Sequence, residues 1–281
     1  MQALEAYLHY TPLENASGQL TDERVATLVI NRQEAANAFS GELLVQIRNL
    51  LDAVDSDPTV RLLLLQGSGK HFSAGADLNW MKQAAQLDYS GNVAEAEKLT
   101  AMFEALALLK MPSFAVVKGA AFGGAVGLVA ACDFAFAIDS ARFCLSEVKI
   151  GLLPAVILPY LGRKIHPGTL KRLMLSARIF SADEALKAGL VQAVTTTADI
   201  ETVLQDEINL LLAASPEAQA AAKTLFQRVS HRSWGQSSET VEAIASTRAS
   251  AMGQAGLAAF FQKVDPPWVR RLPKGSKVFI D

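Results

Sequence analysis

Cysteine is nearly absent from this 281-residue chain, which has only Cys132 and Cys144, each set in an apolar string. That excludes a disulfide framework and reads as two buried free thiols, in keeping with a reducing compartment. Charge is also sparse. Charged residues make up 19% of the chain, and 26 Lys and Arg against 28 Asp and Glu leave a formal net charge of −2. No general field for nucleic acid results, and basic residues are not interleaved with aromatics as single-strand binders require. The four histidines, at 9, 71, 166 and 231, include no pair at metal-ligand spacing, and there is no Cys-x-x-Cys; no metal site is expected. Long hydrophobic runs are missing too. The strongest, 120–131, holds three glycines and is too short to span a bilayer. Residues 1–21 have neither a basic n-region with an apolar h-region nor an arginine-rich amphipathic pattern. The expectation is a cytoplasmic protein with no membrane partner.

What the chain does have is apolar surface to bury, with 51% hydrophobic residues, enough for one large core. Short strand-like and longer helix-like segments alternate. Residues 25–31, 60–66, 113–117 and 134–138 read as strands, and the unbroken apolar run 60–66 suits a strand buried on both faces. Residues 40–54 place Leu43, Leu44, Ile47, Leu50 and Leu51 at helical spacing, 94–109 is a second amphipathic helix, and a small-residue helix ends at 131. This alternation implies an α/β core with parallel pairing. From 182 onward alanine-rich helices dominate, over 182–188, 200–213, 216–228 and 239–252, with 191–194 as the one strand candidate among them. The expected division is a core over 1–195 and a helical subdomain over 196–281 that mediates homo-oligomerisation. No segment repeats at a fixed period.

Several familiar sites fail on inspection. Gly67-Ser-Gly-Lys70 lacks the glycine at 64 and the hydroxyl residue at 71 that a phosphate loop needs; those positions are Leu64 and His71. The glycines at 123, 124 and 127 do not fit a dinucleotide fingerprint, and no Gly-x-Ser-x-Gly elbow exists. Two glycine-containing loops remain after buried strands, His71-Phe-Ser-Ala-Gly-Ala-Asp-Leu78 and Gly119-Ala-Ala-Phe-Gly-Gly-Ala-Val-Gly127. Loops at the carboxyl ends of parallel strands are where α/β proteins place ligands. Gly123 and Gly124 also open a helix, so their N–H groups are unpaired at its positive end. One donor from each loop, meeting on one oxygen, makes an oxyanion hole. The alternative is that these glycines serve only tight turns and helix packing. Glu147, flanked by Leu145, Val148, Ile150 and Leu152, would have a raised pKa in apolar surroundings and suit general acid/base work near neutrality. The alternative there is a solvent-facing carboxylate paired with Lys149 or Arg142.

Taken together, Phe72-Ser-Ala-Gly-Ala-Asp-Leu, Gly119-Ala-Ala-Phe-Gly-Gly-Ala and Ala131-Cys-Asp133 resemble the enoyl-CoA hydratase (crotonase) superfamily. Asn37-Ala-Phe39, Ser146-Glu-Val-x-Ile-Gly-Leu-x-Pro154, Ala185-x-x-x-Gly-Leu-Val191 and Phe260-Phe-Gln-Lys263 match in register, so the resemblance covers 25–268. It implies a spiral of ββα units with a C-terminal helical oligomerisation subdomain, assembled as trimers or hexamers. By position it implies oxyanion N–H groups at Ala76 and Gly124, and proton transfer by Glu147. Coenzyme A, as part of the substrate and not a separate cofactor, would be contacted by Ala74, Asp77, Leu78, Asn79 and Lys263.

Two departures stand out. Hydratases of this family carry a second glutamate three residues after the oxyanion glycine, where this chain has Gly127, and Glu34 stands where a basic residue often meets the phosphates. Glycine at that first position, with Asp77-Leu-Asn-Trp-Met81, is most similar to the bacterial 3-methylglutaconyl-CoA hydratases of leucine breakdown. The resemblance therefore implies a single-glutamate hydratase of an acyl-CoA. A Δ3,Δ2-enoyl-CoA isomerase using Glu147 as sole proton shuttle is the alternative, with a non-catalytic acyl-CoA or RNA binder behind it. His71 reads as a loop residue beside Phe72, and Trp80 and Met81 as either acyl-pocket or core residues.

Overall fold

The computed structural model describes residues 4–229 and 237–280; His231 lies outside them. Ten strands form: β1 (Ala6–Asn15), β2 (Leu20–Ile30), β3 (Val60–Gly67), β4 (Ser113–Val117), β5 (Ala120–Phe122), β6 (Phe134–Ile138), β7 (Arg142–Cys144), β8 (Phe180–Ser181), β9 (Ala193–Thr195) and β10 (Arg270–Arg271). Seven make one sheet in the order β10-β1-β2-β3-β4-β6-β9, and β5-β7-β8 make a second, small sheet. The interior pairs β2–β3, β3–β4, β4–β6 and β6–β9 are parallel, whereas β1 runs antiparallel to β2.

The parallel strands are buried on both faces, and their period-2 alternation divides two cores between them. Leu63, Leu65, Ala115, Val117, Ala135 and Ala137 face one core, while Leu62, Leu64, Phe114, Val116, Phe136 and Ile138 face the other. Helices α1 (Gly41–Ser56), α2 (Leu78–Ala84), α3 (Tyr89–Ala107), α4 (Gly124–Ala131), α5 (Leu158–Lys164), α6 (Pro167–Ser176) and α7 (Ala182–Ala188) follow in chain order. The first core gathers Leu43 and Ile47 of α1, Met102 and Phe103 of α3, and Ala125 to Val126 of α4. Helix α8 (Ile200–Leu212) lays Ile200, Leu204, Ile208 and Leu212 on the opposite face of the sheet. Three more helices complete the chain, α9 (Pro216–Val229), α10 (Ser237–Ala249) and α11 (Ala251–Gln262). Among the described residues no helix is long and apolar enough to cross a membrane.

Local chemistry fixes the ends of these elements. Ser40 Oγ accepts the Leu43 N–H at 3.1 Å at the start of α1, and Ser181 and Glu184 form a reciprocal capping box on α7. Asp133 Oδ2 accepts from the Ser113 N–H, the Ser113 hydroxyl and the Lys223 ammonium at 2.8, 2.9 and 2.6 Å. One carboxylate thus joins the start of β4 to α9.

The α/β expectation holds, and the strands 113–117 and 134–138 and the helix 182–188 fall as read. Three readings change. Residues 6–15 form an edge strand. The run 239–252 is not one helix, because Ser250 accepts the Gly253 N–H at 3.0 Å and caps a new one, α11. The segment 191–194 is not the sole late strand, since Arg270–Arg271 pairs with β1. The tail that follows lies on its own chain: Val278 is fully buried, and the Val278 and Phe279 N–H groups donate to Glu201 at 2.9 and 3.0 Å. Both cysteines are free and buried, and burial pushes the Cys132 thiol up to about 12.

Candidate active site

Strand pairing delivers the chemistry to one place. β5 and β7 run parallel with Phe122 opposite Cys144, so the chain leaving each strand continues alongside the other. From β5 it enters Gly123-Gly124 and α4; from β7 it enters Leu145-Ser146-Glu147. The Gly123 N–H donates to the Cys144 carbonyl at 2.8 Å, which locks the two exits together.

Gly123 holds φ at +54° as the residue capping α4, a conformation that favours glycine. A Cβ built there would lie 3.3 Å from Glu147 Oε1 and 3.6 Å from Ser146 Oγ. The glutamate carboxyl therefore rests against the start of α4, at the helix's positive end. It is half-buried, and its Oε2 is shielded from solvent with no hydrogen-bond partner among the described residues. Desolvation pushes its pKa above the usual carboxylate range, with its own backbone N–H opposing. Arg142, the candidate surface partner, instead donates to the carbonyls of Asp139 and Ala141. The solvent-facing, ion-paired reading of Glu147 falls.

The first loop is threaded between β2's exit and β5. The Phe39 N–H donates to the Gly75 carbonyl and the Asp77 N–H to the Phe39 carbonyl, at 2.7 and 2.9 Å. This parallel bridge pairs Phe39 with Ala76 and leaves the Ala76 N–H on the opposite side of the chain. Among the described residues neither the Ala76 nor the Gly124 N–H has a recorded acceptor, and both residues keep some exposure. Gly75 brings the loops together. Its φ is +94°, and a Cβ there would meet the Phe122 carbonyl oxygen at 2.8 Å. The two candidate oxyanion amides follow this contact by one and two residues. Gly75→Ala should force the loops apart and lower kcat by about 10²–10³-fold, the effect of losing one oxyanion donor. Steady-state kinetics on a variant shown to be folded by circular dichroism checks this.

His71 does more than pack beside Phe72. Its Nδ1 accepts the Ala120 N–H at 3.0 Å, bracing the first loop against the second, and burial and Lys70 hold its pKa below the usual range. A neutral ring keeps that acceptor lone pair.

The expected coenzyme A contacts are less unified. Ala74, Leu78 and Asn79 are exposed on the first loop and α2. Asp77 is committed elsewhere: Oδ1 accepts the Asn79 and Trp80 N–H groups, and Oδ2 accepts from Arg32 at 2.9 Å. Arg32 also pairs with Glu5 at 3.1 Å, while Glu34 is largely exposed and points away. A groove of about 730 Å³ between α1, α2 and α3 is lined by Asp77, Asn79, Trp80 and Lys98 among others, but not by Glu147. Trp80 is half-buried, with its indole N–H on Glu95 at 3.0 Å. Lys263 closes α11 with φ at +56°, and α11 packs chiefly against α10, so it is not gathered with the two loops. Among the described residues no cluster of three His, Cys, Asp or Glu side chains is placed to hold a metal ion.

One neighbour of the site escaped sequence reasoning. A Cβ on Gly127 would overlap Ile157 Cγ2 outright, with Ile157 Cβ at 2.7 Å and Phe103 Cε1 at 3.0 Å. Ile157 is buried and fills the space in front of Gly127. No sequence signal links residues thirty positions apart.

The family model for enoyl-CoA hydratase/isomerase matches residues 21–271. The chain belongs to that family. It is 37% identical over 175 residues to a crotonyl-CoA hydratase of Syntrophomonas wolfei, covering 62% of this chain and 66% of that one. It is 32% identical to a trans-2-decenoyl-[acyl-carrier-protein] isomerase of Streptococcus mutans, covering 76% of this chain and 82% of that one. A crystal structure of an enoyl-CoA hydratase from Shewanella pealeana superposes with a TM-score of 0.85 at 38% identity, over 93% of this chain and 96% of the other. The fold is that of the crotonase superfamily.

Proposed function

We propose that this chain adds water across the 2,3 double bond of an enoyl-CoA, with 3-methylglutaconyl-CoA as substrate and Glu147 as the acid/base. One observation carries the reading: a buried carboxyl oxygen without a partner lies against the start of α4, where the Gly124 N–H is free. The thioester oxygen would accept from the Ala76 and Gly124 N–H groups. Ionised Glu147 takes a proton from water as its oxygen bonds to C3. The C2–C3 π electrons move toward the thioester, and the oxyanion donors hold the enolate charge. Protonated Glu147 then returns its proton to C2 and the carbonyl re-forms, so one water is added and the glutamate is restored. Relatives named as hydratases support this direction. Ala74, Asp77, Leu78, Asn79 and Lys263 remain the proposed coenzyme A contacts. Phe260 and Phe261, each about three-quarters exposed, support homo-oligomer assembly through the C-terminal helices.

A second reading is favoured by the filled space at Gly127, which leaves Glu147 as the single carboxyl at the start of α4. In a Δ3,Δ2-isomerase, Glu147 removes a proton from C2 of a 3-enoyl-CoA and delivers it to C4, with no net change in protons. The relative named as an isomerase fits this. Offering 3-methylglutaconyl-CoA, crotonyl-CoA and a 3-enoyl-CoA in parallel decides between the two: fast double-bond migration with negligible water addition overturns the hydratase reading.

The pH profile tests the role of the glutamate. Hydration begins with an ionised base, so kcat falls as pH drops through the pKa of Glu147. Because desolvation raises that pKa, the acid limb of kcat should lie above about 4.3, the ordinary glutamate value. A limb at or below it would count against Glu147.

A further inference from the structure

Positions three and four apart on a helix share a face, so Gly123, Gly124 and Gly127 leave one stripe of α4 bare. Over the first turn of this stripe lies the Glu147 carboxyl; over the next lies the side chain of Ile157. The Cβ positions of successive turns are about 5–6 Å apart, so the apolar branch of Ile157 is the carboxyl's neighbour along the helix. Its place is firmly set. Ile157 and Phe103 are both buried, the Leu161 N–H donates to the Ile157 carbonyl at 3.1 Å, and the Phe103 ring is backed by Tyr160 at 5.7 Å between centroids. A water needs room and two or more polar partners. Ile157 removes the room and supplies no partner, while the unpartnered Oε2 of Glu147 is a waiting acceptor.

We infer that Ile157 is a specificity-determining residue that keeps water out of the space along α4 beside Glu147 and so limits water addition relative to double-bond migration. This rests on the reading of Glu147 as the acid/base. It assigns the balance between two reactions that share one proton carrier to a side chain that takes no part in either.

Threonine and valine have nearly the same shape and differ by one hydroxyl, which makes Ile157→Thr and Ile157→Val the discriminating pair. Both lose the same outer methyl, so a purely structural role moves both alike; only Thr offers a water a partner. Hydration of crotonyl-CoA and migration of a 3-enoyl-CoA are measured on each variant and on the parent enzyme, with melting temperatures alongside. The expected result is a hydration kcat at least about 5-fold higher in Ile157→Thr than in Ile157→Val, with migration in the two variants equal within about twofold. Equal hydration in the two variants overturns the inference and leaves the proposed function standing. If Thr does not fold, a Val variant whose hydration-to-migration ratio differs from the parent's by more than about threefold supports the role, and an unchanged ratio overturns it. A parent enzyme that performs neither reaction overturns the proposed function and this inference together.

Discussion

Glu147→Gln lowers kcat for enoyl-CoA turnover by about 10²–10⁴-fold, the usual worth of a positioned acid/base, and leaves thioester binding within a few-fold. The amide keeps the shape of the carboxyl against Gly123 but neither takes nor returns a proton. Stability should respond in the opposite direction. The folded-state pKa of Glu147 is raised by desolvation, so the folded protein binds its proton more tightly than the unfolded chain. Its favourable contribution is complete below the unfolded pKa and is lost as pH rises through the folded one, and at neutral pH the buried charge is a net cost. The Gln variant should therefore melt no lower than the parent at pH 7, and the two curves should converge in acid. Kinetics and thermal melts over a pH series check both halves. Turnover near the parent rate in Glu147→Gln would remove the mechanism while leaving the family untouched.

Gly127→Glu is the substitution with the largest expected effect on folding. Opposing terms are at work. Replacing glycine inside a helix normally gains up to about 1 kcal/mol, but here the first added atom overlaps Ile157 and meets Phe103 at 3.0 Å. Overpacking a filled core costs about 1–3 kcal/mol, and a carboxyl buried without a partner adds about 1–3 kcal/mol more. The steric and polar costs win, for a net loss of at least about 2–3 kcal/mol, or a Tm fall of about 4–12 °C at about 2–4 °C per kcal/mol for chains near this size. Gly127→Ala should carry the steric part alone. Adding Ile157→Ala to it should restore part of the loss, so the double variant is more stable than the sum of the singles predicts. Strict additivity in thermal melts would show that the two positions do not press on each other.

How much of this was legible in the sequence depended on burial. Residues 113–117 and 134–138 were read correctly because a strand buried on both faces is apolar throughout. β1 was missed because an edge strand keeps His9, Glu14 and other polar residues half-exposed, and its pairing with β2 carries no local mark. β5 is three small residues whose strand character comes only from β7, twenty-two positions later. α2 buries no residue at all and so has no apolar stripe to read, although Asp77 is a good helix cap. The elevated pKa of Glu147 was anticipated, yet for a partly mistaken reason. Ile150 and Leu152, its apolar neighbours in sequence, are 58% and 54% exposed; what shields the carboxyl is the packing of its 3₁₀ turn against Gly123. The match of Ala76 and Gly124 to a family pattern located the amides, but the contact of Gly75 with Phe122 that joins their loops is a matter of tertiary structure.

The bridge between Phe39 and Ala76 has a consequence for how the first loop tolerates change in length. Backbone amides along an extended segment face alternately left and right, and here the anchored ones belong to the residues on either side of Ala76. Its availability to a substrate is therefore a question of odd or even position, independent of side-chain identity. Deleting one residue between Phe72 and Gly75 would swap the two sets, turning the exposed amide inward and presenting a carbonyl where a donor had been, whereas substitutions at Ala76 that spare the backbone would leave it outward.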